Sequence, residues 1–285
     1  MSEPGADGTF DSTVPLDAPL DELVAATKWY HSFDLPGGIS TRGFYDHRRM
    51  AHKVPIPRDL SGKRCLDVAS SDGFWAFQMA QRGAAEVVSV DLDDHSRQDW
   101  QGVSVGETDR ARGSGRAHRA FDIVNRALDA GVKRCDLSVY DLSPETLGTF
   151  DFVFMGNVLL HLRDPALALG AVRSVSGGEF LSFECVSMPL TILRPFTPTA
   201  QLWHDDEPRW WTPNVAGHRR LVRAAGFAVV DARFPLLQPF GELIPRRPPK
   251  IPWRLRDWTF WLFVRRFGVA SQWLRCRPVP VTTKA

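Results

Sequence analysis

From Lys63 onward, short apolar runs alternate with segments of helical period, and this rhythm constrains the fold of the 285-residue chain more than any other feature. The runs are "RCLDVAS" (64–70), "EVVSVDL" (86–92), "KRCDLSV" (133–139), "FDFVFMG" (150–156) and "EFLSFECV" (179–186). Each is rich in Val, Phe and Leu and apolar enough to be covered on both faces. Between them the pattern predicts helices over 74–82, 120–130 and 165–175, the last with Asp164 as its N-cap. A further helix in "TPNVAGHRRLVRAAG" leads into "FAVVDARF", another strand. Alternating β and α elements predict an α/β fold built on a doubly wound, mostly parallel sheet.

Four stretches follow. Residues 1–27 read as an acidic, disordered leader without the apolar segment of a signal peptide. Residues 28–60 form an aromatic and basic N-terminal cap, residues 61–245 the α/β domain, and residues 246–285 a C-terminal extension expected to be helical. Within the domain, "GVSVGETDRARGSGRAHRA" (102–120) has no apolar period and reads as a long loop, either a solvated insertion or a flap over the ligand edge. The formal charge of +2 is unevenly spread: residues 246–285 carry ten Lys or Arg against Asp257 alone, or +9, which leaves −7 for the rest. A basic tail on an acidic body signals a partner. The four cysteines stand far apart with no CxxC pair, as buried reduced thiols do, and suit a cytoplasmic protein. No apolar stretch approaches the roughly 18 residues that span a bilayer.

In a doubly wound sheet the turn after the first strand sits over the ligand. Here it reads "CLDVASSDGFWAF", with small residues at Ala69, Ser70 and Ser71 but a single glycine, Gly73. Only Gly73 is expected to take positive φ easily. A dinucleotide pyrophosphate needs the GxGxxG turn, which is missing. Asp91 follows Asp67 by 24 residues and ends the second strand, where a carboxylate accepts both hydroxyls of a ribose. Asp67 is placed to face an amino group. Carboxylate, amino group and unmodified ribose describe S-adenosylmethionine better than NAD.

The chain resembles class I, Rossmann-like methyltransferases, and within them the tRNA (mo5U34)-methyltransferase-like (CmoB-like) group. The resemblance rests on "WYHSFDLPGGISTRGFYDHR", "DLSGKRCLDVASSDGFWAF", "SVYDL" and "FDFVFMGNVLLHLRDPALAL" and spans roughly residues 28–186. It implies cofactor contacts at Asp67, Ala69, Ser71, Asp72 and Gly73 beneath the methionine part, Asp91 and Asp93 at the ribose, Tyr140 and Asp141 beside the adenine, and Gly156 under the sulfonium. It puts His161 in the motif "LLHLRDP" and Phe44 and Arg49 near substrate-contacting positions. Relatives that transfer a carboxymethyl group use a tyrosine where this chain has Leu160, so plain S-adenosylmethionine and methyl transfer are expected.

A hydroxyl acceptor needs a general base, and His161 is the candidate. Its alternative is to orient the following turn through Asp164. Trp29, His31, Phe44 and Arg49 are expected to meet the substrate, by clamping a nucleobase or by forming a lid. No His/Asp/Cys cluster has metal-ligand spacing. The acceptor is either a tRNA uridine or a small molecule or membrane-associated lipid, and a protein that has lost catalysis and binds RNA or a partner is the competing class. The segment "IPWRLRDWTFWLFVRRFGVASQWLRCRP" suits RNA, a peripheral membrane contact, or packing onto the protein's own sheet or a second copy of the chain.

Overall fold

A computed structural model describes residues 13–94, 97–99, 116–203, 209–243 and 264–280. Seven strands form one sheet: β1 (Arg64–Val68), β2 (Glu86–Asp91), β3 (Lys133–Asp136), β4 (Phe150–Gly156), β5 (Ser176–Cys185), β6 (Phe227–Gln238) and β7 (Val269–Pro278). Their order is β6-β7-β5-β4-β1-β2-β3, and every pairing is parallel except the two made by β7. The doubly wound, mostly parallel sheet expected from the β/α rhythm is therefore present.

Side chains alternate across the sheet, as a period of two requires. Cys65, Phe152 and Phe154 enter one core with helix α2 (Phe74–Ala80), helix α3 (Arg116–Ala127) and the N-terminal cap. Leu66, Val68, Val153 and Met155 enter the opposite core with helices α4 (Pro165–Val175) and α6 (Val215–Ala224). Helix α4 begins as expected: the Asp164 carboxylate accepts from the Leu167 amide at 2.9 Å. Between β5 and α6 lie the short helix α5 (Met188–Leu193) and an antiparallel pair, Ala200–Leu202 with Trp211–Pro213.

Two expectations need correction. The C-terminal segment is not a helical extension over 269–278: it is β7, inserted antiparallel between β5 and β6, with Leu274 and Cys276 fully buried. The alternation Trp273-Leu274-Arg275-Cys276-Arg277 supports a strand, and the Trp273 indole donates to the Lys53 carbonyl at 3.0 Å, tying the cap to the sheet. Residues 244–263 lie outside the described residues. The leader is not disordered throughout, because α1 (Leu20–Ala26) buries Leu23 against the core. Of the expected loop over 102–120, residues 102–115 lie outside the described residues, and residues 116–120 begin α3 instead of continuing the loop.

Candidate active site

The turn between β1 and α2 keeps the shape of a glycine-rich loop with almost no glycine. Gly73 has φ 84°, and Ala69 and Ser71 also lie in the left-handed region at φ 57° and 53°. The expectation that only Gly73 takes positive φ is thus corrected. An L-residue there costs roughly 1–2 kcal/mol, so the surroundings must hold it. They do so through hydrogen bonds: the Ala69 and Ser70 amides donate to the Val90 carbonyl at 2.8 and 3.2 Å. The Ser71 amide donates to Asp91 at 2.5 Å. At Gly73 a Cβ would approach the Phe121 and Phe77 rings to 2.6–2.8 Å, so glycine is required sterically as well.

Three carboxylates surround this turn. Asp67 is 1 % exposed and accepts from the Ala76 amide at 2.8 Å. Burial, reinforced by Asp91 and Asp72, holds its carboxyl well above the usual range. Asp91 ends β2 and also accepts from the Leu92 amide at 2.7 Å. Asp72 faces the cap: it accepts from the Tyr30 and His31 amides at 3.0 and 2.7 Å and from His31 Nδ1 at 2.5 Å. It acts as a clamp, so the expected cofactor residue Asp72 is occupied with holding the cap over the loop.

The other expected residues separate into groups. Asp93 pairs with the mostly buried Arg134 at 2.6 Å across the β2–β3 edge. Tyr140 follows β3; its hydroxyl donates to Asp99 and accepts from the Asp164 amide at 3.1 Å. Burial and the Asp99 carboxylate push this phenol up to about 12. Asp141, next along, is exposed. Gly156 ends β4, where a Cβ would come within 2.8 Å of the Phe154 ring. His161 is exposed on the turn Leu159–His161, while Leu159 and Leu160 are buried. Trp29 is not at a substrate face: it is 3 % exposed, packs edge-on against Phe33 and donates to the Val24 carbonyl. His31 is buried at the Asp72 clamp, and exposed Arg49 pairs with Asp46 at 3.1 Å. Phe44 lies parallel to Tyr30, ring centroids 6.1 Å apart.

Asn157, Gln238 and Glu184, at or near strand ends, were not anticipated. Asn157, directly after β4, has φ 56°. Its side chain exchanges two hydrogen bonds with Gln238 at 2.8 and 3.0 Å and accepts from the Cys185 thiol. Gln238 Oε1 also accepts from His47 Nε2 at 2.9 Å, which leaves His47 Nδ1 buried without a partner among the described residues. Burial, then His31, holds the His47 imidazole well below its usual pKa. Tyr30 is 40 % exposed yet recessed; burial, with Cys185, Asp72 and Asp91 nearby, raises its phenol above the ordinary range. Below the turn after β4, the buried Glu184 carboxyl accepts from the Leu159 and Val158 amides at 3.3 and 3.4 Å, and burial pushes it up to about 8. The one sequence signal for Asn157, Gln238 and Glu184 was their position at or near strand ends. No group of three or more His, Cys, Asp or Glu among the described residues is placed to hold a metal.

The strand order and the loop at the β1–β2 edge define a class I methyltransferase fold. The FtsJ-like methyltransferase family model matches residues 40–187, just over half of the chain, and the chain belongs to that family. Curated relatives include the tRNA U34 carboxymethyltransferases of Pseudomonas paraeruginosa PA7, 31 % identical over 180 residues, and of Pseudomonas aeruginosa LESB58, 32 % identical over 180 residues. Each match covers 61 % of this chain and 47 % of the relative, so the chain spans about half the length of the curated relatives it matches. Among solved structures, the [4+2]-cyclase SpnF aligns over 93 % of both chains with a TM-score of 0.52 and 16 % identity. The putative methyltransferase in complex with the Haloferax volcanii Trm112 activator aligns over 84 % of this chain and 90 % of its own, with a TM-score of 0.50 and 15 % identity. These two share the fold.

Proposed function

We propose that the chain is an S-adenosylmethionine-dependent methyltransferase that methylates a hydroxyl. One observation carries this reading: a left-handed turn of small residues ringed by Asp67, Asp72 and Asp91. Carboxyl oxygens at the turn offer acceptors to ammonium and ribose hydroxyl donors, which S-adenosylmethionine brings, and nothing to a pyrophosphate, which has no donors. Asp67 then serves the amino group, Ala69, Ser71 and Gly73 let the backbone approach, Asp91 accepts from the ribose, and Tyr140 with Asp141 borders the adenine. When bound there, the cofactor supplies a methyl group already activated on sulfur.

The chain's own contribution is placement and exclusion of water. The cap, held by Asp72, sets Tyr30 and Phe44 over the strand ends, and Asn157 fixes the β4 terminus through Gln238. His161 is the base proposed to take the acceptor's proton as the new carbon–oxygen bond forms. The names of the curated relatives support a wobble uridine in tRNA as acceptor. A lipid or small-molecule acceptor is the second reading, favoured by the exposed apolar side chains that follow β5. A cytoplasmic site of action goes with either.

Incubation with S-adenosylmethionine carrying a labelled methyl, separately with total tRNA and with a total lipid extract, tests the proposal. Label in one fraction, lost in Asp91→Ala, is expected. A protein that binds the cofactor yet labels neither fraction would move the reading to a non-catalytic binding module.

A further inference from the structure

The lobe that follows β5 displays apolar side chains instead of burying them. Ile192, Leu193, Phe196 and Leu202 are 70, 75, 92 and 81 % exposed within eleven residues. A monomer scatters exposed apolar residues singly, so a cluster of large ones marks a binding surface. The lobe is nonetheless well built. The Ser187 side chain caps α5, and fully buried Asn214 donates to the Arg194 and Thr197 carbonyls at 2.8 and 2.9 Å and accepts from the Thr199 amide. Pro195 and Pro198 stiffen the turn between these anchors. The apolar side chains are therefore held outward.

The described residues of the lobe carry arginines without a carboxylate. Among the described residues of 186–203 and 209–230 there are five arginines, Arg194, Arg209, Arg219, Arg220 and Arg223, and no carboxylate. Asp205, Asp206 and Glu207 lie outside the described residues. Arg219, Arg220 and Arg223 line a groove of about 420 Å³ between α6 and Phe196. The lobe also adjoins the ligand edge: the Trp210 amide donates to the Leu160 carbonyl at 2.9 Å and the Trp211 indole to the Leu162 carbonyl at 3.1 Å.

Cationic side chains beside Phe196 and exposed aliphatic ones on the same lobe select the partner by chemistry. A second copy of the lobe would set arginines against arginines. Nucleic acid would use the arginines and stack on Phe196, but it offers no apolar interior to Ile192, Leu193 and Leu202. An anionic lipid surface satisfies both sets, taking the aliphatic side chains among the acyl chains and the guanidinium groups at the phosphates.

We propose that this lobe docks the protein on an anionic membrane surface, with Ile192, Leu193, Phe196 and Leu202 inserted and Arg194, Arg219, Arg220 and Arg223 at the headgroups. This is a different surface from the basic C-terminal stretch, and the docking does not depend on which acceptor the methyl group reaches. It brings the mouth of the site to the bilayer.

Co-sedimentation of the full chain with phosphatidylcholine vesicles, with and without phosphatidylglycerol, tests it. Binding only to the anionic vesicles is expected. Ile192→Ser combined with Leu193→Ser should weaken it at least about tenfold, since two inserted aliphatic side chains are removed. Arg220→Glu combined with Arg223→Glu should weaken it comparably and reduce its dependence on salt. Thermal melts and cofactor titration of the same samples report folding and the cofactor site separately, so failure of docking is distinguishable from failure of the methyltransferase reading. Absence of binding to anionic vesicles, parent-level binding by either double variant, or equal binding of the parent to neutral vesicles would overturn the proposal. So would tRNA binding that these substitutions abolish in a protein that ignores vesicles, which would assign the surface to nucleic acid.

Discussion

The turn after β1 and the lobe after β5 leave the same edge of the same sheet, and they spend their polar and apolar groups in opposite ways. The turn buries Asp67 and Asp72, engages its amides and holds two L-residues in left-handed geometry. The lobe anchors its backbone through Asn214 and leaves its aliphatic side chains in water. On the readings proposed above, the difference separates a rigid cradle for a small charged molecule from a rigid platform for a large surface. Substitutions should therefore be costly for folding at the turn and nearly silent for folding at the lobe.

The largest effect is expected at the two contacts that define the turn. Gly73→Ala forces a Cβ against Phe77 and Phe121 in a left-handed position, and should lower stability by about 3 kcal/mol in urea denaturation. Asp72→Ala strands the Tyr30 and His31 amides and frees the His31 imidazole, at a cost of about 2–4 kcal/mol. Hydrogen exchange should then accelerate at residues 29–31 while β1 stays protected. Unchanged exchange at these amides would show that the cap is held by other contacts.

A further effect depends on pH and is read as a slope. Glu184 is raised in the folded state from 4.5 to about 8, so the folded protein binds its proton more tightly than the unfolded chain. That contribution is complete below pH 4.5 and is lost as pH rises toward 8. Glu184→Gln has no proton to lose, so its stability relative to the parent should climb across this window, by at most about 1.4 kcal/mol per pH unit. Parallel denaturation curves at each pH would contradict the assignment.

The smallest effects sharpen the comparison. Ala69→Gly relieves left-handed strain but loosens the unfolded chain, for a net gain of about 0.5–1 kcal/mol. Ile192→Ser, by contrast, should change stability by less than about 0.5 kcal/mol. If Ile192→Ser proved the more damaging to folding, the lobe would be part of the core and not a platform.

The sequence announced what local chemistry decides. Hydrophobic period located the strands from Arg64 to Cys185, Asp164 showed where α4 begins, and Asp67 and Asp91 do meet at one turn. It was silent where distant residues decide. Ala69 and Ser71 take positive φ because Val90 and Asp91, twenty or so residues on, hold the turn from outside. Asp72 looked like a ligand residue, and only folding brings it to His31, 41 positions away. Asn157 and Gln238 are 81 positions apart. Strand β7 carried its period of two in Leu274-Arg275-Cys276, but its insertion between β5 and β6 depends on pairing with segments tens of residues upstream.

The most direct test of the account is calorimetric titration of the purified chain with S-adenosylmethionine, repeated on Asp91→Ala. The account predicts saturable binding by the parent and its loss in the variant, because the ribose acceptor and the partner of the Ser71 amide disappear together. No binding by a folded parent would contradict the reading of the turn as a cofactor cradle.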